Sequence, residues 1–291
     1  MKTKTFSFST AFDLANYALL TLLGLVTLYP ILNVLAISLS DYKAFVDNPM
    51  MIIPQNINLE AYTLIFKNPL LISSYGNTIF IAVVGTAVNM AMTIVTAYPL
   101  AKAKVRGERW ILFFIIFTMM FSGGLIPVFL VVKNLHLYNT LWALIIPTAI
   151  STYNFIIVKT FFESIPDSLE ESAKIDGAGH MYILLNIVLP LSVPVIATVG
   201  LFYGVVNWNR FFEAVMYLSD RSKWTLTILL REIVTENTDV LAGADPLNAQ
   251  KVYPKTMQNA TIITAVLPIL FSYPFVQKYF IKGIMLGAVK Q

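Results

Sequence analysis

Residues Glu170–Pro190 read EESAKIDGAGHMYILLNIVLP. Acids, one lysine and small residues pass here, without a break, into one of the most apolar parts of the chain. Such a junction suits a water-facing element attached directly to a membrane-crossing one, because hydrocarbon does not solvate charge. The whole chain has the same character: 57% of its 291 residues are hydrophobic and 12% are charged, against about 25% charged in ordinary globular domains. The mean hydropathy is +0.71. With no cysteine and two histidines, the chain offers no disulfide framework, no zinc–thiolate cluster and no His-rich metal site. A net charge of +4 on so few charged residues points neither to nucleic acid nor to a polybasic tail.

Marking every Asp, Glu, Lys and Arg leaves six long charge-free intervals: Leu14–Ser40, Asn68–Ala101, Trp110–Val132, Asn134–Val158, Gly177–Asn209 and Thr256–Gln277. Each exceeds the ~20 residues a helix needs to cross ~30 Å of hydrocarbon. The expected fold class is therefore all-α, a polytopic membrane protein with six transmembrane helices in a single domain over residues 1–291. Intervals two and five are longer than one crossing, which places their helix starts near Ser74 and Tyr182. The first interval is too long for a signal-peptide core and stays as span one. The loop KAKVRGER between spans two and three carries Lys102, Lys104, Arg106 and Arg109 against a single acid, Glu108. By the positive-inside rule this loop is cytoplasmic, and an even number of spans then puts both termini inside.

Pro30, Pro99, Pro127, Pro147, Pro190, Pro194, Pro268 and Pro274 all fall in or at the ends of spans. Each removes a helical hydrogen bond and bends its helix, leaving neighbours or water to satisfy the freed carbonyl. Membrane helices carry more proline than soluble ones in any case, but eight together favour a moving protein over a rigid anchor. GLFYG at Gly200–Gly204 is a small-xxx-small step for close helix packing within the molecule. No charge lies inside a span, so neither a buried proton relay nor a voltage-sensing ladder is available. The dipeptide Gly-Lys does not occur, which excludes a phosphate-binding loop of the GxxxxGK[ST] type. HExxH and GxSxG are absent as well, so nucleotide chemistry must come from another chain.

This topology places Glu163–His180 in the cytoplasm, between spans four and five. The loop, residues 163–180, is built as a short surface helix. Ser164 three residues before Asp167 resembles a capping box, Pro166 suits a first turn, and Asp167, Glu170 and Glu171 lie near the positive end of the dipole. Gly177 suits the stop, where glycine takes a left-handed backbone without strain. Leu169, Ala173 and Asp176 share one face, and Ser172 and Ala173 keep the helix narrow enough for a partner's cleft. An ordinary interfacial helix would look similar, and the spacing decides against it. Glu171-Ser172-Ala173, three residues, Gly177, nine residues, Ile187, one residue, Leu189-Pro190 resembles the EAA---G---------I-LP signature of bacterial ABC importer permeases, with Ser172 in place of the first alanine.

The resemblance extends to SIPDSLEESAKIDGA, IVLPLSVPVIATVGLFYGVVNWN and FSGGLIPVFLVVKNLHLYNTLWALIIP, which are similar to the carbohydrate-uptake class. SGGLIP and DRSKW at Asp220–Trp224 resemble the subgroup for oligosaccharides of plant or algal polysaccharides, alginate importers among them. The resemblance implies that the loop is a coupling helix seated in a cytoplasmic ABC ATPase dimer, which alone binds ATP and Mg; this chain itself holds no cofactor. It implies a second, homologous permease as heterodimer partner and an extracytoplasmic solute-binding protein that meets the outer loop, residues 210–255. On this reading Glu171 makes the charged contact with the ATPase, with Ser172 beside it. Ala173 packs closely, and Gly177 turns the chain into span five, where Pro190 and Pro194 allow it to flex as a lever.

Trp208, in NWN at Asn207–Asn209, fits two roles, an anchor at the membrane interface or part of a sugar-facing wall. Tyr153, Asn154 and Asn207 either line a polar substrate path or pack helices together. His180 reads as a surface residue and His136 as a loop residue. A membrane-embedded enzyme would need grouped catalytic charges, and Asp220–Lys223 and Glu232–Glu236 show no recognised pairing. A channel or secondary carrier would work without an ATPase, so co-purification with one separates those classes.

Overall fold

The computed structural model describes residues 8–103, 105–235, 255–268 and 270–271. All regular structure among these is helical, and a lone bridge pairs Ser40 with Ile57. The described residues divide into two compact units, residues 8–69 with 230–235 and 255–268, and residues 70–103 and 105–229 with 270–271.

In the first unit, α1 (Phe8–Ser38) has an apolar stretch, Phe12–Ser38, of 27 residues, about 40 Å at 1.5 Å per residue. Its leucines stand exposed from Leu14 to Leu28, as a helix facing lipid requires. The helix continues through Pro30. Polar groups lock the turn after it: Asn33 donates to the carbonyls of Pro49 and Met51, and Ser40 Oγ donates to Ala36 and accepts from the Gln55 amide. Asp41 caps α2 (Tyr42–Asp47) by accepting from the Ala44 amide at 2.8 Å. The short α3 (Glu60–Lys67) follows, its Tyr62 hydroxyl 2.8 Å from Ser38.

The next crossing has 34 residues, Pro69–Lys102, all but Pro69 in the second unit; in it α4 (Pro69–Phe80) and α5 (Thr86–Lys102) join through a π-turn at Ile81–Gly85. Its helix starts at Pro69, a favoured first-turn residue, and not near Ser74. Span three also departs from expectation. The charge-free run Trp110–Val132 is two helices, α6 (Glu108–Met120) and α7 (Leu125–Asn134), inclined at 116°. Ser122-Gly123-Gly124 makes the corner, with Gly124 at φ 84°, a conformation open to glycine. The chain turns again through His136 and Asn139, both at φ 58°. Span four accordingly starts later than Asn134: α8 (Trp142–Ile145), a 3₁₀ turn at Ile146–Thr148, and α9 (Thr152–Ser164) form a pair bent by 51°.

After α10 (Asp167–Ile175), span five begins at His180, two residues before the expected Tyr182. It runs through α11 (His180–Ile183), a π-turn at Leu184–Val188 and α12 (Leu189–Leu191), then bends by 84° into α13 (Val193–Trp208). Two short helices, α14 (Phe212–Tyr217) and α15 (Leu226–Thr235), lie beyond it. Length and composition give up to five spans among the described residues when each bent pair counts once. The sixth, Thr256–Gln277, lies partly outside those residues, as do the C-terminus and residues 236–254 of the outer loop.

Two apolar clusters hold the second unit. Ala97, Tyr98 and Leu100 of α5 meet Phe155, Val158 and Phe162 of α9 and Ile183, Val188 and Val199 of span five. A second cluster gathers Ile81, Val132, Leu144, Ala214, Tyr217 and Ile228. Gly200 lies 3.9 Å from Met90, and Gly204 lies 3.7 Å from Thr86, both measured to an added Cβ. The glycines of GLFYG thus bring α13 close against α5.

Candidate functional site

Helix α10 is short, and both its ends are fastened. At its C-terminus Gly177 takes φ +83°. Its amide donates to Lys174 at 3.0 Å, and that of Ala178 donates to Ala173 at 2.9 Å. This pair of bonds is the Schellman motif, as the glycine leads one to expect. The N-terminus is made differently from the expected capping box. Ser164 Oγ donates back to Phe161, Pro166 itself occupies the cap position, and no side chain caps the helix. The anchor comes from span two instead. Lys102, its side chain 3% exposed, donates to the Ile165 carbonyl and to Asp167 Oδ1 at 2.7 Å. A lysine ending one span thereby holds the start of the loop helix that follows another.

Burial sorts the faces of α10. Glu170 and Ala173 turn inward: Glu170 is buried, and Ala173 packs on the apolar cluster of α5 and α9. Leu169, placed with Ala173 on one face by the sequence, is 43% exposed. The free face carries Ser168, Glu171, Ser172 and Ile175. Ile175, at 87% exposed, is an isoleucine almost fully in the open. It escaped the sequence reading, although its i−3 and i−4 neighbours are Ser172 and Glu171. Beside the helix, Ala101, Lys102, Asp167, Glu170, Glu171 and His180 help line a cavity of about 220 Å³. Glu170 is paired with Lys174 at 3.8 Å, and its Oε1 is buried without a hydrogen-bond partner.

Beyond Gly177 the chain enters span five directly. Pro190 and Pro194 flank its 84° bend, with Ser192 between the two helical pieces. Neither proline donates an N–H, so the ladder is weakened at the corner. The Ser192 amide bridges the carbonyls of Val188 and Leu189, each at 3.0 Å.

A second constellation joins spans two, four and five. The 51° break in span four frees backbone groups, and side chains of the other two spans satisfy two of them. Asn89 Nδ2 donates to the Thr148 carbonyl at 2.7 Å, and Tyr203 Oη accepts from the Ser151 amide at 3.0 Å. Tyr203 also bonds Thr93 at 2.8 Å. Asn207 Nδ2 donates to Asn89 Oδ1 at 2.9 Å and to Thr86 Oγ1 at 3.2 Å, while its Oδ1 accepts from Arg210 Nε at 3.0 Å. An alanine methyl at Gly85 would come within 3.0 Å of Asn207 Nδ2, so the glycine gives Asn207 its room.

Of the residues expected to line a path, Asn207 and Asn154 are buried, Tyr153 is 57% exposed and Trp208 is half-buried. Asn207 is committed to the network, and no hydrogen bond joins it to Tyr153 or Asn154. Asn89, Thr93 and Tyr203 were missed. The signal was present: Asn89 and Thr93, like Tyr203 and Asn207, stand four apart on one helix face. Arg210 is 6% exposed, and burial pulls its guanidinium below its ordinary value against the opposing field of Glu213. Beyond it, Asn77 Nδ2 ties the DRSKW turn to span two through the carbonyls of Ser222 and Trp224. Arg221 stacks over Trp224 at 5.2 Å.

Comparison with known proteins agrees with this architecture. Residues 91–285 match the family model for the binding-protein-dependent transport system inner membrane component. The chain is 42% identical over 280 residues to the polygalacturonan/rhamnogalacturonan transport system permease protein YtcP of Bacillus subtilis, covering 96% of this chain and 98% of that one. It is 44% identical over 279 residues to Protein LplC of the same organism, covering 96% and 95%. A chain in the crystal structure of a bacterial ABC transporter involved in the import of the acidic polysaccharide alginate superposes with a TM-score of 0.88 at 34% identity, over 96% of this chain and 100% of that one. The protein therefore belongs to the binding-protein-dependent transport system inner membrane components, the membrane-spanning permeases of ABC importers.

Proposed function

We propose that this permease imports oligosaccharides released from acidic polysaccharides across the bacterial inner membrane. Support comes from the relatives, one named for polygalacturonan and rhamnogalacturonan and one solved for alginate import. The partners follow from the reading: an ATPase dimer that binds ATP and Mg, a second related permease, and an extracytoplasmic solute-binding protein. The coupling helix, the KAKVRGER loop and both termini lie in the cytoplasm.

The observation that carries the mechanism is the fastening of α10. Its N-terminal end is tied by Lys102 and its C-terminal end is closed by the Gly177 motif, so it moves as a rod. The free face of Glu171, Ser172 and Ile175 is the face offered to the ATPase cleft. Glu171 makes the charged contact there, Ser172 and Ile175 fill the cleft, and Ala173 sets how closely the rod seats on the bundle. When the ATPase dimer closes, the displacement passes through Gly177 into span five and is taken up at the Pro190–Pro194 corner. Asn207 helps hold the broken helices, Asn154 is buried beside the break, and Tyr153 and Trp208 are the exposed and half-exposed aromatics available to a sugar path.

Reconstitution of the importer in proteoliposomes tests this. Glu171→Lys is expected to leave the permease assembled in the membrane while ATP hydrolysis no longer drives sugar uptake. Undiminished uptake by that variant refutes the assignment of the contact.

A further inference from the structure

We propose that Arg210 is a carboxylate-binding site at the end of span five remote from the coupling helix, one that takes the uronate carboxylate of an acidic saccharide. The inference rests on the reading of the chain as an acidic-oligosaccharide permease.

Arg210 is a buried cation with most of its donors idle. A guanidinium presents five N–H groups in a rigid fork, and among the described residues only its Nε is engaged, by Asn207. Among the described residues no carboxylate lies within ion-pair distance of Arg210, and no acceptor is hydrogen-bonded to its Nη groups. Glu213 acts on it only through its field. A charge at 6% exposure with no partner among the described residues is costly for a fold to retain, which points to a counter-charge that those residues do not supply.

The surroundings hold the fork still. Asn207 fixes Nε and is itself braced by Asn89, Thr86 and, through Asn89, the Thr148 carbonyl. The backbone is pinned as well, since Thr227 Oγ1 donates to the Arg210 carbonyl at 2.8 Å. With Nε taken, the two Nη groups remain, and their paired N–H bonds match a carboxylate. The ordering entropy of the arginine is thereby met before the ligand comes. Arg210 is also the first cation after the charge-free run Gly177–Asn209, where an anionic sugar has no other counter-charge in that span. Trp208, two residues earlier and half-buried, offers an aromatic surface of the kind sugar rings stack upon.

The test uses the complete importer in proteoliposomes, with its solute-binding protein saturated in both arms. Uptake of a galacturonate oligosaccharide is compared with that of its methyl ester, which has the same rings and no charge. Arg210→Gln is expected to lower the rate of acid uptake at least tenfold while leaving the ester within twofold of wild type. Arg210→Lys keeps the charge, loses the fork and is expected to fall between. Equal losses for acid and ester, or no loss for the acid, overturn the proposal. So does loss of a partner subunit from the purified complex of the Gln variant, which assigns the arginine to an acid of that subunit. Should the Gln variant not assemble at all, the Lys variant decides: a selective loss for the acid supports the site, and indifference between the two saccharides overturns it. Wild-type importer that carries neither saccharide fails in the control arm, which removes the proposed function itself and Arg210's role with it.

Discussion

Replacing Gly177 isolates the backbone turn that joins the coupling helix to span five. The residue sits at φ +83°, and a Cβ built there meets nothing within 4 Å, so any effect comes from conformation and not from crowding. A left-handed backbone costs a non-glycine residue about 1–2 kcal/mol. The motif it supports contributes two hydrogen bonds, Gly177 to Lys174 and Ala178 to Ala173, worth about 1 kcal/mol each. In Gly177→Ala the two terms are comparable, and the population of the closed helix end falls about 5- to 30-fold for a change of 1–2 kcal/mol. Valine, branched at Cβ, is worse there, and asparagine tolerates the conformation. The assay is sugar imported per ATP hydrolysed in proteoliposomes, with expected order Gly, Asn, Ala, Val. A valine variant as tightly coupled as the native protein refutes the reasoning, and so does an asparagine variant as poor as valine.

Other substitutions test the remaining parts. Asn89→Leu leaves Asn207 Nδ2 with Thr86 alone and strands the Thr148 carbonyl, at about 1–3 kcal/mol; a drop in thermal stability in detergent is expected, and an unchanged melting temperature contradicts the network's role. Lys102→Met removes charge-assisted bonds worth about 1.5–3 kcal/mol, toward the lower end because Asp167 is 72% exposed; cysteine labelling at Ile165 should become faster. Pro194→Ala restores an N–H in the first turn of α13 and releases the fixed φ there; it is expected to change the set of the corner, slowing uptake more than it slows ATP hydrolysis. Hydrogen bonds from the Ser222 amide and hydroxyl hold the Asp220 carboxyl below the usual carboxylate range. Its contribution to the turn is complete above the ordinary aspartate value and is lost as pH falls through the depressed one, so the protection of the Ser222 amide relative to a free peptide should persist below the usual aspartate range and be lost only in stronger acid.

Charge is the most legible signal in this chain, because a membrane forbids it over long runs, and the charge-free intervals locate the crossings. Hydropathy does not report direction. The run Trp110–Val132 is apolar throughout and still folds back by 116° at Gly123-Gly124. The bend at Ser192 was legible from its two prolines, whereas the π-turns at Ile81–Gly85 and Leu184–Val188 have no signature in a single sequence. In the coupling loop, Gly177 could be read because glycine alone suits that backbone freely. The capping box was misread because Ser164 still belongs to α9, where its hydroxyl donates to Phe161, and Pro166 takes the cap position. The inward and outward faces of α10 depend on the cluster behind it, which no local pattern displays. The same holds for the polar bridge, whose members lie up to 121 positions apart.

The chain has no native cysteine, so one introduced at Ile175 reports on the free face alone. If the rod seats in the ATPase, Ile175→Cys should cross-link to a cysteine in that subunit's cleft, and nucleotide should change the yield. In intact cells it should resist a membrane-impermeant maleimide until the inner membrane is opened. Rapid labelling from outside, with no cross-link to the ATPase, contradicts the placement of the helix and the mechanism built on it.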